Sequence, residues 1–364
     1  MQARAPDGAV VVRPPESEAR GAPRFLAVPS LLARPQVRKS GMSEMMVFDP
    51  AEFVAEQIAA VRKQVGTRTA VIAVSSGVDS TIAAAIVHDA IGTQLHAVYV
   101  DTGFMRKDES ASVEAMYKRM GLNLTVVHAG PEYFEALAGV TDPERKRKVI
   151  GEKFIRIFER ESKKTGATVL VQGTIAPDWI ESGGQNRDVI KSHHNVGGLP
   201  KDMKLELCEP LYHLYKDEVR AVARHLKVEV AERQPFPGPG LAVRVIGELL
   251  PHRVEIAREA CHVVETEIEA AVAAGKMERP WQYFAVLTNT PTVGVQGDLR
   301  AYGETVAVRA VHSLDAMTAT AVPIPFEVLG RIARGITNHP KMKDKVNRVV
   351  YDVTDKPPAT VEWE

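Results

Sequence analysis

Residues 71–87 (VIAVSSGVDSTIAAAIV) constrain the fold more than any other part of this chain. A run of β-branched residues stops at a small, hydroxyl-rich turn, and an Ala-rich segment follows at once, which predicts a strand, a loop and a helix. In such a turn several backbone N–H groups point into the first turn of the helix, whose dipole favours negative charge. The loop is therefore predicted to bind phosphate. A plain strand-to-helix turn without a ligand is the alternative that the loop alone leaves open.

The loop is not a Walker A motif, which needs a Lys beside its last Ser or Thr, because no Lys lies between Gly66 and Lys107. It resembles the S-G-G-x-D-S pyrophosphate loop of the ATP pyrophosphatases, which cleave ATP between the α and β phosphates. Ser76 stands where that family usually has its first Gly. Gly is used where φ is positive or where a ligand lies too close for a Cβ. Ser76 therefore either has an ordinary φ or weakens pyrophosphate binding.

Composition sets broad limits on the class of protein. At 364 residues the chain is long enough for two domains. Lys plus Arg equal Asp plus Glu at 46 each, and a zero net charge argues against a wide nucleic-acid-binding surface. Cys208 and Cys261 lie in no metal-ligand spacing and cannot build a disulfide framework, which fits a reducing cytoplasm. No apolar run approaches the roughly 18 residues of a membrane span, so no membrane-spanning segment is expected.

Apolar segments near residues 71–74, 95–101, 124–128 and 169–172 alternate with helical patterns. Alternating strands and helices with near-continuous apolar strands predict an α/β fold with a parallel, doubly wound sheet covered on both faces. Ligands bind such sheets at the carboxyl ends of the strands. Residues 75–80, 101–103 and 172–174 each follow one strand and are expected to converge on one crevice.

The chain is predicted to have three parts. Residues 1–45 are Pro- and Arg-rich without a sustained period, which indicates a disordered extension or a start codon assigned too early. Residues 46–235 would form the doubly wound domain. The segment 235–240 (PFPGPG) breaks all regular structure and marks a boundary. Residues 236–364 would form a smaller α+β domain.

Residues 175–204 carry two Gly pairs and no clear period, which is typical of a lid or a disordered loop. The segment contains Lys191, His193 and His194. Paired histidines suggest a metal site, but adjacent side chains do not face the same way on a regular element. Phosphate contact or a solvated lid is the preferred interpretation.

From about residue 46 to 364 the sequence is similar to the synthetase part of GMP synthase, which aminates XMP to GMP. Seven motifs in family order carry this resemblance: 146–151 (KRKVIG), 172–174 (QGT), 190–200 (IKSHHNVGGLP), 216–220 (KDEVR), 236–241 (FPGPGL), 294–298 (GVQGD) and 356–364 (KPPATVEWE). The resemblance implies two half-reactions in one site. The XMP 2-oxygen attacks the ATP α-phosphate to give adenylyl-XMP and pyrophosphate, and ammonia then displaces AMP.

The resemblance also implies roles for individual residues. The leaving pyrophosphate would be cradled by Ser75, Ser76, Gly77, Val78, Asp79 and Ser80. Asp79 would bind Mg²⁺, because a hard cation prefers carboxylate oxygen. Lys216 would reach the pyrophosphate, although a solvated helical Lys is the alternative. Val100 would contact adenine through its backbone, and Gly173 would let the nucleotide approach closely.

XMP is expected to contact Arg147 and the carboxyl-terminal residues Lys356, Thr360 and Glu362. For Arg147 a plain basic helix face is the competing interpretation. The lid residues Lys191, His193 and His194 would close over the reaction and complete the catalytic group with Asp79 and Lys216.

Two expectations concern partners, and two rival functions stay open. Many members of the family carry an amino-terminal glutaminase domain, and nothing before residue 46 has its nucleophilic Cys, so a separate glutaminase subunit is predicted to supply ammonia. A homodimer through the carboxyl-terminal domain is expected from the family. Two rivals remain: another amidating pyrophosphatase such as an NAD synthetase or a tRNA-thiolating enzyme, and a non-enzymatic nucleotide binder whose loop Ser76 has disabled.

Overall fold

The computed structural model describes residues 48–181, 205–228, 234–314 and 316–364. Two predictions lie outside these residues: the extension 1–45 and the lid positions Lys191, His193 and His194. Residues Phe48–Glu364 form one compact unit. No helix in the described part of the chain is long and apolar enough to cross a membrane.

Helices and strands alternate through most of the first half of this unit, whereas in the second half three strands follow one another between two helices. The helices are α1 (Pro50–Val65), α2 (Val78–Ile91), α3 (Glu109–Arg119), α4 (Gly130–Ala136), α5 (Pro143–Thr165), α6 (Ala176–Glu181), α7 (Lys216–His225), α8 (Pro251–Ala273) and α9 (Phe326–Thr337). The strands are β1 (Ala70–Val74), β2 (Leu95–Asp101), β3 (Asn123–His128), β4 (Val169–Val171), β5 (Glu206–Cys208), β6 (Gln282–Gln296), β7 (Leu299–His312), β8 (Thr320–Ala321) and β9 (Val346–Asp352).

Strands β1 to β5 form a parallel sheet in the order β3-β2-β1-β4-β5. Successive side chains of a strand point to opposite faces, and both faces are buried here. Val71 packs in one apolar cluster with α4 and α5, whereas Ile72 packs in a second cluster with α1, α2, α3 and α7. Strands β1 and β4 are therefore apolar along their whole length, and the predicted doubly wound sheet is confirmed.

The second half contains a mixed sheet in which β6 and β7 form a long antiparallel hairpin. Strand β9 returns parallel to β7, and the short β8 pairs with the end of β7. Helices α8 and α9 bury Val264 and Ile332 against this sheet, in the same apolar cluster that holds Val71 of β1. The smaller α+β part is therefore confirmed, and the boundary at 235/236 stays a prediction.

The loop between β2 and α3 is held by residues of the second half. Arg258 of α8 donates from Nε to the Met105 carbonyl at 3.0 Å and from Nη2 to the Gly103 carbonyl at 2.6 Å. The Leu241 N–H donates to the Phe104 carbonyl at 2.7 Å. These bonds fix the loop after β2 against α8 and against Leu241 of the segment 236–241, at one side of the cavity described next.

Candidate active site

A cavity of about 430 Å³ opens at the carboxyl ends of β1, β2 and β4, where the sequence predicts a crevice. The structure brings eight of the predicted site residues to its wall: Ser75, Gly77, Asp79, Ser80, Val100, Arg147, Gly173 and Lys216. Ser76, Val78, Lys356, Thr360 and Glu362 are not among the lining residues. A volume of this size suits a small-molecule ligand such as a nucleotide.

The loop after β1 is organised by its own hydroxyl groups. The Gly77 N–H donates to Ser75 Oγ at 3.0 Å, and the Oγ atoms of Ser75 and Ser80 lie 2.9 Å apart. The Ser75 N–H also points at Ser80 Oγ, at 3.3 Å. The Ser hydroxyl groups therefore stabilise the turn by hydrogen bonds within it, which explains why its sequence is rich in hydroxyl groups.

Gly77 is the N-cap of α2, with φ −74° and ψ 149°, and no side chain caps the helix. The first N–H groups of a helix have no partner within the helix. An uncapped helix start whose first turn lines a cavity therefore presents donors and a positive dipole end to whatever occupies that cavity.

Gly173 lets two parts of the chain approach each other closely. A Cβ at this position would lie 2.9 Å from the backbone C and O of Asp79 and 3.0 Å from the Ser80 backbone N. Because backbone atoms of α2 cannot move aside, only Gly allows the end of β4 to lie against the first turn of α2. Gly173 also lines the cavity, and the close approach of a nucleotide to it stays a prediction.

Ser76 does not have a positive φ. Among the described non-glycine residues, positive φ values occur at Asp108, Lys227 and Ala316. Of the two possibilities set by the sequence, the ordinary φ is the one observed. Its hydroxyl donates a hydrogen bond to Oε1 of the buried Glu109, and neither residue is among those that line the cavity.

Lys216 and Asp79 come together although they are far apart in sequence. The Lys216 Nζ lies 3.3 Å from Oδ2 of Asp79, and the two side chains are 65% and 31% exposed. An ion pair this exposed contributes little to stability. A bound phosphate or a cation can therefore replace it at small cost, so both groups are available to a ligand.

Arg147 lines the cavity from α5, and Glu364 is its partner. The Arg147 Nη2 donates to the main-chain oxygen of Glu364, whose side chain also pairs with the fully buried Lys146. Lys146 donates in addition to the Val245 carbonyl at 2.8 Å. Burial lowers the pKa of Lys146 and raises the pKa of Glu364, because both charges lose water there.

The carboxyl-terminal segment is ordered by two buried arginines. Arg244 forks onto Glu362 at 2.8 and 3.1 Å, and Gln282 donates to the same carboxylate at 2.9 Å. Arg309 donates to the main-chain carbonyls of residues 354, 360 and 361. Lys356 donates to the Ala316 carbonyl at 2.8 Å. The predicted XMP contacts therefore already have protein partners.

Sequence reasoning missed the side chains that fix this segment, namely Lys146, Arg244 and Arg309. Arg244 lies three residues after the 236–241 motif and Lys146 begins the 146–151 motif. A charge inside or beside such a motif was the available signal. Their carboxylate partners lie 118 and 218 residues further along the chain, so no local pattern points to the pairing.

No group of three or more His, Cys, Asp or Glu side chains that could hold a metal ion occurs within the residues that the structure describes. A cation at Asp79 would therefore take its other ligands from a bound phosphate, water or the nearby hydroxyl groups. Those are oxygen donors of the kind Mg²⁺ prefers.

The doubly wound sheet and the loop-lined cavity define a nucleotide-binding enzyme of the α/β class. Residues 51–154 match the family model described as NAD synthase, and residues 269–363 match the model described as GMP synthase C terminal domain. The chain is 56% identical over 321 residues to a Methanopyrus kandleri protein named as one subunit of glutamine-hydrolyzing GMP synthase, covering 87% of this chain and 100% of that protein. The chain therefore belongs to the GMP synthase family.

Two further similarities differ in extent. The chain is 53% identical over 318 residues to GMP synthase (glutamine-hydrolyzing) of Clostridium botulinum, covering 86% of this chain and 61% of that protein. A solved NMN synthetase from Francisella tularensis overlays with a TM-score of 0.44 at 16% identity, covering 53% of this chain and 78% of that chain.

Proposed function

We propose that this enzyme aminates XMP to GMP, using ATP and ammonia and releasing AMP and pyrophosphate through an adenylyl-XMP intermediate. The observation that carries the proposal is the arrangement of Asp79, Lys216 and the uncapped start of α2 around one cavity. The family similarity supports the choice of substrates.

The first half-reaction breaks the bond between the α and β phosphates, so negative charge develops on the departing pyrophosphate. The α2 N–H groups and the hydroxyls of Ser75 and Ser80 would hold the β and γ phosphates, and Lys216 would add a positive charge. These groups are fixed before the ligand arrives, apart from the exposed Lys216 side chain. Positioning and charge stabilisation are what phosphoryl chemistry mainly requires of a protein.

Asp79 would hold the Mg²⁺ that accompanies ATP. When bound, this ion neutralises charge on the phosphate oxygens. The Asp79 carboxylate lies in the first turn of α2 and lines the cavity, within reach of the ammonium group of Lys216. A carboxylate and a lysine side by side suit a magnesium–pyrophosphate product, which has both cationic and anionic faces.

Arg147, at the cavity wall, and the segment 354–364, which Arg147 contacts at Glu364, would hold XMP. Arg147 presents a guanidinium group to the cavity, the type of group that pairs with a phosphate. The buried anchors Arg244 and Arg309 keep the segment that carries Lys356, Thr360 and Glu362 in place. Closure by Lys191, His193 and His194 stays a prediction from the sequence.

Ammonia would come from a separate glutaminase subunit, and free ammonium would be a weaker substitute. The Methanopyrus relative is named as one subunit of a glutamine-hydrolyzing synthase, and this name supports the division of labour. A cytoplasmic location is proposed with it, because two free cysteines suit a reducing compartment.

The function is tested by incubating the purified protein with XMP, Mg-ATP and ammonium chloride. We expect GMP, AMP and pyrophosphate in equal amounts, and almost no product when glutamine replaces ammonium. Amination of deamido-NAD but not of XMP would favour an NAD synthetase. Binding of XMP without AMP release would favour the non-enzymatic interpretation, and comparing the rate of Ser76→Gly would then show whether the loop is responsible.

The long hairpin supports the proposed homodimer. Val293 and Tyr302 are cross-strand partners, and Val295 lies two residues further on the same face. Their exposures of 48%, 69% and 79% make an apolar patch on the carboxyl-terminal half. Such patches mark interaction sites, and a symmetric dimer would cover this one with its own copy.

Replacing Val295 with Asp is therefore expected to convert the dimer into a monomer, because a charge would enter an apolar interface. Light scattering coupled to size-exclusion chromatography measures the mass directly. Leu207→Asp, at an apolar position of β5 that is 42% exposed in the other half, serves as the matched control. A dimer that persists in Val295→Asp would show that the hairpin is not the contact.

A further inference from the structure

We propose that Glu109 is a positioning residue for the phosphate loop and that it acts through the hydroxyl group of Ser76. Ser76 is not among the residues that line the cavity, and its hydroxyl donates to Glu109 Oε1. This inference rests on the proposed function, because it concerns how the loop is held for the ATP phosphates. On this proposal Ser76, at the position where the pyrophosphate loop usually has Gly, contributes a hydrogen bond that Gly could not make.

The carboxylate of Glu109 is buried and its two oxygens are used by different partners. Glu109 is the first residue of α3 and is 1% exposed. Oε1 accepts from Ser76, and Oε2 accepts from the Arg106 N–H at 3.0 Å. Hydrogen bonds to an ionised acceptor are roughly twice as strong as neutral ones. A carboxylate in this place therefore ties the loop firmly to the start of α3.

Arg106 holds the Glu109 carboxylate in position. Its Nη1 lies 3.7 Å from Glu109 Oε1, which balances the buried charge. Its Nη2 donates to the carbonyls of Gln234 and Pro235 at 3.1 and 3.2 Å, and its guanidinium carbon lies 4.2 Å from the centre of the Phe236 ring. Through Arg106, the Glu109 carboxylate is thus connected to residues 234–236, where the two halves of the unit meet.

A second side chain of α3 holds the neighbouring residue of the loop. The buried Tyr117 donates from its hydroxyl to the Ser75 carbonyl at 2.9 Å and contacts Thr81 Oγ1 at 3.0 Å. Burial raises the pKa of Tyr117 to about 12, so the phenol stays protonated and remains a donor at neutral pH. Helix α3 therefore fixes both residues that precede Gly77, and with them the backbone that starts α2.

The difference between a carboxylate and an amide makes the role testable. Glu offers two acceptor oxygens, whereas Gln offers one acceptor and one donor group. With Ser76 present, Glu109→Gln can keep both contacts only by accepting from the Arg106 N–H and donating its amide to Ser76 Oγ, so a neutral bond replaces the charge-assisted bond from the Ser76 hydroxyl. In the Ser76→Gly protein the hydroxyl is gone, and the single oxygen of Gln suffices for Arg106. The effect of Glu109→Gln should accordingly depend on residue 76.

The experiment compares wild type, Glu109→Gln, Ser76→Gly and the double variant in the assay with XMP, Mg-ATP and ammonium. Glu109→Gln is expected to lower kcat/KM for ATP about tenfold in the Ser76 protein, with KM for XMP almost unchanged. In the Ser76→Gly protein the same change should cost no more than about twofold. Glu114→Gln, on the exposed side of α3, is the matched control and should behave as wild type.

Two results would overturn the inference. One is an equal loss from Glu109→Gln in both backgrounds, which would mean that Glu109 acts independently of Ser76. The other is a lower thermal-unfolding midpoint with an unchanged KM for ATP, which would make Glu109 merely structural. If Glu109→Gln does not fold, Ser76→Ala is measured instead and should reproduce the tenfold loss. Calorimetric titration measures the affinity of the same four proteins for Mg-ATP even if none of them makes GMP. The role of Glu109 and the proposed synthesis of GMP can therefore be refuted independently.

Discussion

Asp79→Asn is expected to lower the rate of AMP formation by at least about a hundredfold, the size of effect seen when a group that stabilises developing charge is removed. The amide keeps the shape of the side chain but loses the charge that would hold Mg²⁺ and pair with Lys216. Because Asp79 is in the first turn of α2 and partly exposed, its replacement should leave the fold intact. The variant should therefore fail in chemistry and not in stability.

Rates measured over a series of magnesium concentrations separate the explanations. A metal ligand predicts that excess magnesium restores part of the activity of Asp79→Asn, whereas loss of the Lys216 pair alone predicts no such rescue. Asp89→Asn, an exposed carboxylate on the same helix, is the control and should retain wild-type rates. If Asp79→Asn keeps more than half of the activity, Asp79 is not the magnesium ligand.

The first half of the fold was readable because its determinants are local. Helix α1 begins at Pro50, and the Asp49 side chain caps it by accepting from the Ala51 N–H at 2.8 Å. The apolar strands β1 and β2 are buried on both faces, which is why they show no alternation of polar residues. Helix α4 was not predicted because seven residues are too few for a period to appear, and strand β5 was not predicted because its three residues begin with Glu206 and form no apolar run.

The candidate site was readable only in part. Ser75, Asp79 and Lys216 were predicted from motifs, and the structure places all three at one cavity. The partners Glu109 and Arg244 were not predicted, because each meets its partner only through the tertiary fold: Glu109 lies 33 residues from Ser76 and Arg244 lies 118 from Glu362. A motif therefore predicts which residues meet the ligand, whereas the pairing of buried charges follows from the tertiary fold, because an unpaired buried charge is costly.

The same burial makes the carboxyl-terminal segment the second place where a large effect is expected. Deleting residues 361–364 removes Glu362 and Glu364, the carboxylate partners of Arg244 and Lys146, which are 1% and 0% exposed in the full chain. Breaking a buried pair by removing one partner costs about 3–5 kcal/mol. Two such losses compare with the whole stability of a typical domain, about 5–15 kcal/mol. The truncated protein should therefore unfold many degrees earlier and make no GMP.

Single changes divide the effect between stability and substrate binding. Glu362→Gln keeps the size of the side chain and weakens the fork with Arg244, so it should lower the thermal-unfolding midpoint by less than the deletion does. Glu327→Gln serves as the control because it breaks an exposed pair, in which the Lys276 side chain is 46% and the Glu327 side chain 59% exposed. Such pairs contribute about 0–1 kcal/mol. A truncated protein with the wild-type midpoint and full GMP synthesis would show that the segment is dispensable. A wild-type midpoint with a raised KM for XMP alone would instead assign these residues to the substrate and not to the fold.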